Sequence, residues 1–243
     1  MELRRALSVI AVLSTLLAGS ACSNASTESG DGKPKAGTPG TGNTLSPEEK
    51  AAAEAKRIGA VDPVTLEKVV LSGKKSGFEA KEVAKSQVEA GRDMKADNAV
   101  CQPLASLAGG YTHLPAIGVV HRSLDPIEAK NATVGSMWLA SHSEKDAQRV
   151  MSDLRASLKA CPKGFKTVGL AYTGVQSVKA PALGDEAVGY RITSVVGGQK
   201  VPMTYTVVRQ DGVIAAFYGV NMLTPQASAI PDSLVKAQLD QLG

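Results

Sequence analysis

The side chains able to do chemistry in this chain are few. There are three cysteines (Cys22, Cys101, Cys161), three histidines (His113, His121, His142), a conspicuous carboxylate pair (Asp185, Glu186), and one tryptophan, Trp138, with five tyrosines. Nucleophilic hydrolysis would want a serine in a GxSxG elbow or a cysteine beside a histidine, and neither pattern occurs. The histidines have no HxxxH or HExxH spacing, so no metal site is expected, and no glycine-rich phosphate loop points to a cofactor. Acid/base work by Asp185 and Glu186 would need two carboxyls facing each other across a substrate. Adjacent strand residues point to opposite faces, so after Gly184 the pair is expected to start a strand. A hydrolase site drawn from Asp185, Glu186 and His142 stands as the enzymatic alternative. Trp138 with Tyr111, Tyr172, Tyr190, Tyr205 and Tyr218 could line a sugar- or lipid-binding cleft, although an aromatic on an apolar strand more often packs in a core. The net charge of +4 is spread along the chain with no basic cluster interleaved with aromatics, which argues against nucleic-acid binding.

Cys22 is explained by what precedes it. Arg4 and Arg5 are followed by an apolar run at 6–18, then by Gly19, Ser20 and Ala21. That is the order of a secretory signal, and a run of 13 residues falls short of the roughly 20 that span a bilayer. A cysteine at the boundary resembles the lipobox of bacterial lipoproteins, here Ala18-Gly19-Ser20-Ala21-Cys22, with Gly19 where leucine is usual. The resemblance implies acylation of Cys22 and cleavage before it, so that 1–21 is a signal peptide and the mature protein is held on the outer face of the cell membrane. The alternative is an ordinary signal cut after Ala21, leaving a free thiol. In an oxidising compartment three cysteines cannot all pair within one chain. With Cys22 acylated, Cys101 and Cys161 remain as a single pair.

Residues 22–46 hold five glycines and two prolines with one large apolar residue, Leu45, and are expected to be a disordered tether. Ser46, Pro47 and Glu49 then signal a helix start, and 47–61 reads as a solvated spacer helix. A single domain follows at 62–243. Asp62-Pro63 caps a helix presenting Leu66, Val69 and Val70, "SGFEAKEV" alternates as a short strand, and Asp97 is expected to cap the helix carrying Cys101. Residues 133–142 form a strand apolar on both faces, Val134 and Trp138 against Met137 and Leu139, which implies a central place. Ser143 caps a long helix whose Ala147, Val150, Met151, Leu154, Leu158 and Cys161 make one stripe. Three strands follow, joined at Gly197-Gly198 and at Asp211-Gly212, the latter a pair suited to a type I′ turn. A closing helix presents Leu234, Val235, Leu239 and Leu242. The class is α+β, an antiparallel sheet with helices packed mainly on one face and one disulfide.

The runs "CQPLASLAGG", "ASHSEKDAQRVMSDLRASLKACPKGF", "PALGDEAVGYR" and "TYTVVRQDGVIAAFYG" look like those of actinobacterial lipoproteins related to the extracellular sensor domain of mycobacterial receptor serine/threonine kinases. The resemblance runs over about 64–242 and implies a disulfide-braced α/β fold with a cleft, with Cys101 and Cys161 as its half-cystines. It implies no ligand residues. The kinase sensor typically has two disulfides and this chain allows one. The expectation is therefore a membrane-anchored, extracytoplasmic lipoprotein with a non-catalytic, sensor-like domain. Its partner would be a small molecule, lipid, glycan or envelope protein, and a lipid-carrying or structural module is a third reading.

Overall fold

The structure, a computed structural model, describes residues 45–167, 169–196 and 198–243. The signal 1–21, Cys22 and nearly all of the tether 22–46 lie outside the described residues. Helix α1 (Pro47–Ile58) opens as its sequence dictates: Ser46 Oγ accepts from the Glu49 amide, and Glu49 accepts from the Ser46 amide. It is mostly exposed, but Ala55 is buried and the helix packs on α2 (Pro63–Val69), where the Asp62 carboxylate accepts from the amides of Val64 and Thr65.

Nine antiparallel strands make one sheet: β1 (Gly73–Lys75), β2 (Phe78–Glu82), β3 (Gly118–Pro126), β4 (Thr133–Ser141), β5 (Gly164–Thr167), β6 (Leu170–Val178), β7 (Glu186–Val196), β8 (Gln199–Gln210) and β9 (Val213–Asn221). Their order, β1-β2-β3-β4-β9-β8-β7-β6-β5, joins two meanders at the β4–β9 pair. Each meander runs from its own edge to the centre, so one long crossover must carry the chain from β4 to the far edge at β5. Helix α5 (Glu144–Ala160) is that crossover. Its 17 residues measure about 25 Å, and five strand spacings come to about 24 Å, so the helix length matches the distance it crosses.

The other helices are α3 (Lys85–Arg92), α4 (Gln102–Ala108), entered through a 3-10 turn at Ala99–Cys101, and α6 (Asp232–Leu242). The two-sided strand at 133–142 is central, as its pattern predicts, because both sheet faces are covered. On the first face α4 and α5 bury Trp138, Ala140, Tyr190 and Tyr205. On the second, a smaller layer of α2 and α6 buries Met137, Leu139, Ala215 and Phe217. The larger helical cover lies on the first face, where the Cys101–Cys161 disulfide ties the start of α4 to the end of α5. Residues Thr44–Gly243 form one self-contained unit holding both core clusters and this bond. Among the described residues no helix is long and apolar enough to cross a membrane.

Two local expectations are corrected. The cap before Cys101 is Asn98, which accepts from the Val100 amide, while Asp97 accepts from the Lys166 amide on β5. Asp97 joins two distant segments, a tertiary role that its place before a helix does not reveal. The Asp211-Gly212 turn is not type I′, which needs both central residues left-handed: Asp211 has φ 50°, and Gly212 has no positive φ. Gly212 is needed for close approach, since a Cβ there would sit 2.4 Å from the His142 carbonyl oxygen.

Candidate ligand-binding face

Directly opposed residues of an antiparallel pair share a face, so the register decides which aromatics meet. Tyr190 lies opposite Tyr205, Tyr205 opposite Tyr218, and Tyr218 opposite Ser136, forming one row across β7, β8, β9 and β4. In the neighbouring row Trp138 lies opposite His121 on one side and Ala216 on the other, the small alanine leaving room for the indole. The rings make a continuous path. Tyr190 and Tyr205 stack at 4.7 Å and 3°, Tyr205 meets Tyr218 at 5.4 Å, Tyr218 meets Trp138 at 6.3 Å, and Trp138 meets His121 at 6.5 Å. His121 packs edge-on to Tyr111 at 5.1 Å, and the Arg92 guanidinium lies 5.2 Å from the centre of that ring. Tyr172, on β6, stacks instead on Phe165 at 5.0 Å.

The helices cover only part of this array. Trp138 is 1% exposed and Tyr205 0%, so the core reading of the tryptophan is correct. On the side nearest the β3–β4 and β7–β8 connections, Val134, Ser136, Val201, Met203 and Tyr218 stay half-buried. Behind them, Trp138 Nε1 and the hydroxyls of Tyr190 and Tyr205 are buried without a hydrogen-bonding partner among the described residues. A buried polar group left unpaired costs about 1–3 kcal/mol, so three in one array are a concentrated cost. Tyr218 OH accepts from Ser136 Oγ over a long 3.4 Å.

Burial favours the neutral forms of the titratable groups inside the array. Burial, reinforced by the neighbouring phenol groups, holds Tyr190 and Tyr205 well above the ordinary phenol range. Burial likewise lowers His121, whose Nε2 lies 2.7 Å from the Gly110 carbonyl as a donor, with Arg92 and Arg122 nearby adding to the shift. The accessible part is Tyr218 with Val134, Ser136, Val201 and Met203, and the other rings with their neutral donors lie beneath it. It suits an uncharged ligand that presents an apolar face and hydrogen-bond acceptors.

The backbone brings His142 to the turn that Asp185 closes, its amide donating to the Gly212 carbonyl at 2.9 Å, but the side chains of the enzymatic alternative bond to other partners. Arg209 donates from Nε to Glu186 and from Nη1 to Asp185, each at 2.7 Å, and Arg155 donates to Glu186 at 2.5 Å. Asp185 also accepts from the Asp211 amide, so the pair closes the β8–β9 turn. Burial raises the Glu186 pKa, but the bonds from Arg209 and Arg155 outweigh it and hold the carboxyl below its usual range. His142, 2% exposed, places Nε2 3.0 Å from Thr112 Oγ1, and burial pushes its pKa down to about 4 against the opposing pull of Asp146. His113 pairs with Asp153 at 2.9 Å. Among the described residues no three metal-ligating side chains cluster. Cys22 lies outside the described residues.

Sequence reading singled out all five tyrosines with Trp138, and the structure lines up three of them beside it. It missed His121, Ser136 and Arg92. The alternation of "KVPMTYTVVRQ" puts Val201 and Met203 on the same face as Tyr205. That the cover stops short of them depends on where α5 crosses, which periodicity does not encode.

No family model matches the chain, and no curated protein matches it. Among solved structures an uncharacterised protein from Mycobacterium smegmatis aligns at 11% identity and a TM-score of 0.37, covering 79% of this chain and 94% of that one. A likeness at that level carries no argument about the site.

Proposed function

We propose that the protein is a lipid-anchored, extracytoplasmic binding protein. Residues 1–21 direct export, acylated Cys22 holds the chain to the membrane, and 22–46 tether a sensor-like domain that binds a neutral small molecule, lipid or glycan without transforming it. The observation that carries the reading is the half-buried patch of Val134, Ser136, Val201, Met203 and Tyr218 with three buried donors behind it, Trp138 Nε1 and the hydroxyls of Tyr190 and Tyr205, which have no hydrogen-bonding partner among the described residues. Two further observations support it. The Cys101–Cys161 bond takes up two of the three cysteines, as expected with Cys22 acylated. The carboxylates a hydrolase would use are engaged by Arg155 and Arg209.

Trp138, the sole tryptophan, is a built-in reporter. Titration with envelope lipids, glycan fragments and small metabolites should shift its emission for a true ligand. At a hundredfold excess over Kd the melting temperature should rise by about 5–10 °C. Tyr218→Ala should remove both responses. Silence across all three classes, or turnover of any of them, defeats the proposal.

A further inference from the structure

A second surface lies at the loop end of the sheet. The β1–β2 turn at Ser76 and Gly77, the β3–β4 loop at 127–132, the β7–β8 turn and the start of the loop after β9 all leave the sheet at this end. Three large apolar side chains stand out from it: Ile127 at 45% exposure, Met222 at 65% and Leu223 at 77%. They are held in place. The Ile127 amide donates to the Gly77 carbonyl and the Met222 amide to the Ala132 carbonyl, each at 3.0 Å. Asn221 Oδ1 accepts from the amides of Leu223 and Thr224, each at 2.9 Å. Exposing such residues on an ordered loop has no benefit for folding, since nothing in the domain covers them.

Cations flank the apolar tip. Lys74 and Lys75 end β1 on one side and Lys200 begins β8 on the other; all three are exposed and make no ion pair among the described residues. The acids nearby are already matched, Glu128 by Lys130 at 3.0 Å and Glu79 and Asp125 by Lys81 at 3.2 and 3.1 Å. Apolar side chains that can enter the acyl boundary, flanked by lysines that meet headgroup charge, are the chemistry of an interfacial membrane contact.

We propose that this end of the sheet docks on an anionic bilayer through Ile127, Met222 and Leu223, with Lys74, Lys75 and Lys200 meeting its negative headgroups. Docking there orients the domain as well as retaining it. The contact is separate from the aromatic face and from acylation of Cys22, so its failure leaves both of those readings standing.

The self-contained unit Thr44–Gly243, which lacks Cys22, isolates the contact. It should sediment with vesicles of phosphatidylglycerol and phosphatidylcholine and much less with phosphatidylcholine alone, and raising the salt should weaken the interaction. The pair Met222→Ser and Leu223→Ser should weaken partitioning by at least about tenfold with an unchanged melting temperature, because both side chains are already in water. Replacing Lys74, Lys75 and Lys200 by Gln should erase the preference for anionic vesicles. Binding that the apolar pair does not alter overturns the proposal, as does an absence of binding at low salt. So does self-association of the unit that the Met222 and Leu223 changes abolish, since the tip would then be a protein interface.

Discussion

Tyr205→Phe should stabilise the ligand-free protein. The side chain is fully buried, its ring stacks on Tyr190 at 4.7 Å and 3°, and its hydroxyl has no partner among the described residues. Phenylalanine keeps the ring and the stack and removes only the oxygen. Leaving that hydroxyl unpaired costs about 1–3 kcal/mol, and the small void its removal creates returns a penalty of about 0.3 kcal/mol. The net gain is about 1–2 kcal/mol, equivalent to about 3–6 °C in Tm for a unit of this size. Urea unfolding of Thr44–Gly243 measures it as a higher midpoint at unchanged slope. The same change should weaken a ligand of the aromatic face by about tenfold, through loss of a donor. Stability would fall and affinity would rise together with the hydroxyl, the mark of a group kept for binding. A variant destabilised by 1 kcal/mol or more with undiminished ligand affinity would refute this reasoning, because the hydroxyl would then be satisfied within the fold, for instance by an ordered water.

Four shorter predictions follow from the same structure. His142 is pushed down to about 4 by burial. The unfolded chain, with an ordinary value near 6.5, therefore takes up the proton first. The stability involved is fully present above pH 6.5 and is lost as pH falls towards about 4, by at most about 3 kcal/mol; His142→Asn should flatten that part of a pH–stability curve. Replacing Cys101 and Cys161 together by Ser opens a 60-residue loop constraint and should cost about 4 kcal/mol in chemical denaturation. Arg209→Met leaves Asp185 without a cation and Glu186 with only Arg155, and should cost about 2–4 kcal/mol by thermal unfolding. Cys22→Ser should release the protein from membranes with its disulfide and melting temperature intact; intact-mass analysis showing a native chain that begins at Cys22 without acyl mass would count against the anchor.

Particular residues show how much of this was legible beforehand. Ser46, Asp62 and Ser143 each announced a helix start because capping is a matter of a few adjacent residues. The α5 stripe and the two-sided pattern of 133–142 were visible because burial repeats with the period of the element. Strands β1, β3, β5 and β6 escaped notice: "GVVHRSLDP" alternates apolar with polar, but Arg122 occupies an inward position, where it is buried against the Leu71 carbonyl and Glu67. A buried arginine breaks a hydropathy pattern and becomes understandable only once its partners are known. Helix α3 has no side-chain cap at Ala84, so no local signal marked its start.

The sequence alone determined the class of fold, the pairing of Cys101 with Cys161 and the set of aromatics worth following, since composition, parity and periodicity are properties of the chain read in order. The tertiary structure decided what those aromatics form. Whether Tyr190, Tyr205, Tyr218 and Trp138 share a surface depends on strand order and register, and a slip of one residue would send every one of a strand's side chains to the opposite face. It also decided that Asp185 and Glu186 serve Arg209, and that Ile127 and Met222 stand at the same end of the sheet, because these placements depend on pairings between strands and loops far apart in the chain.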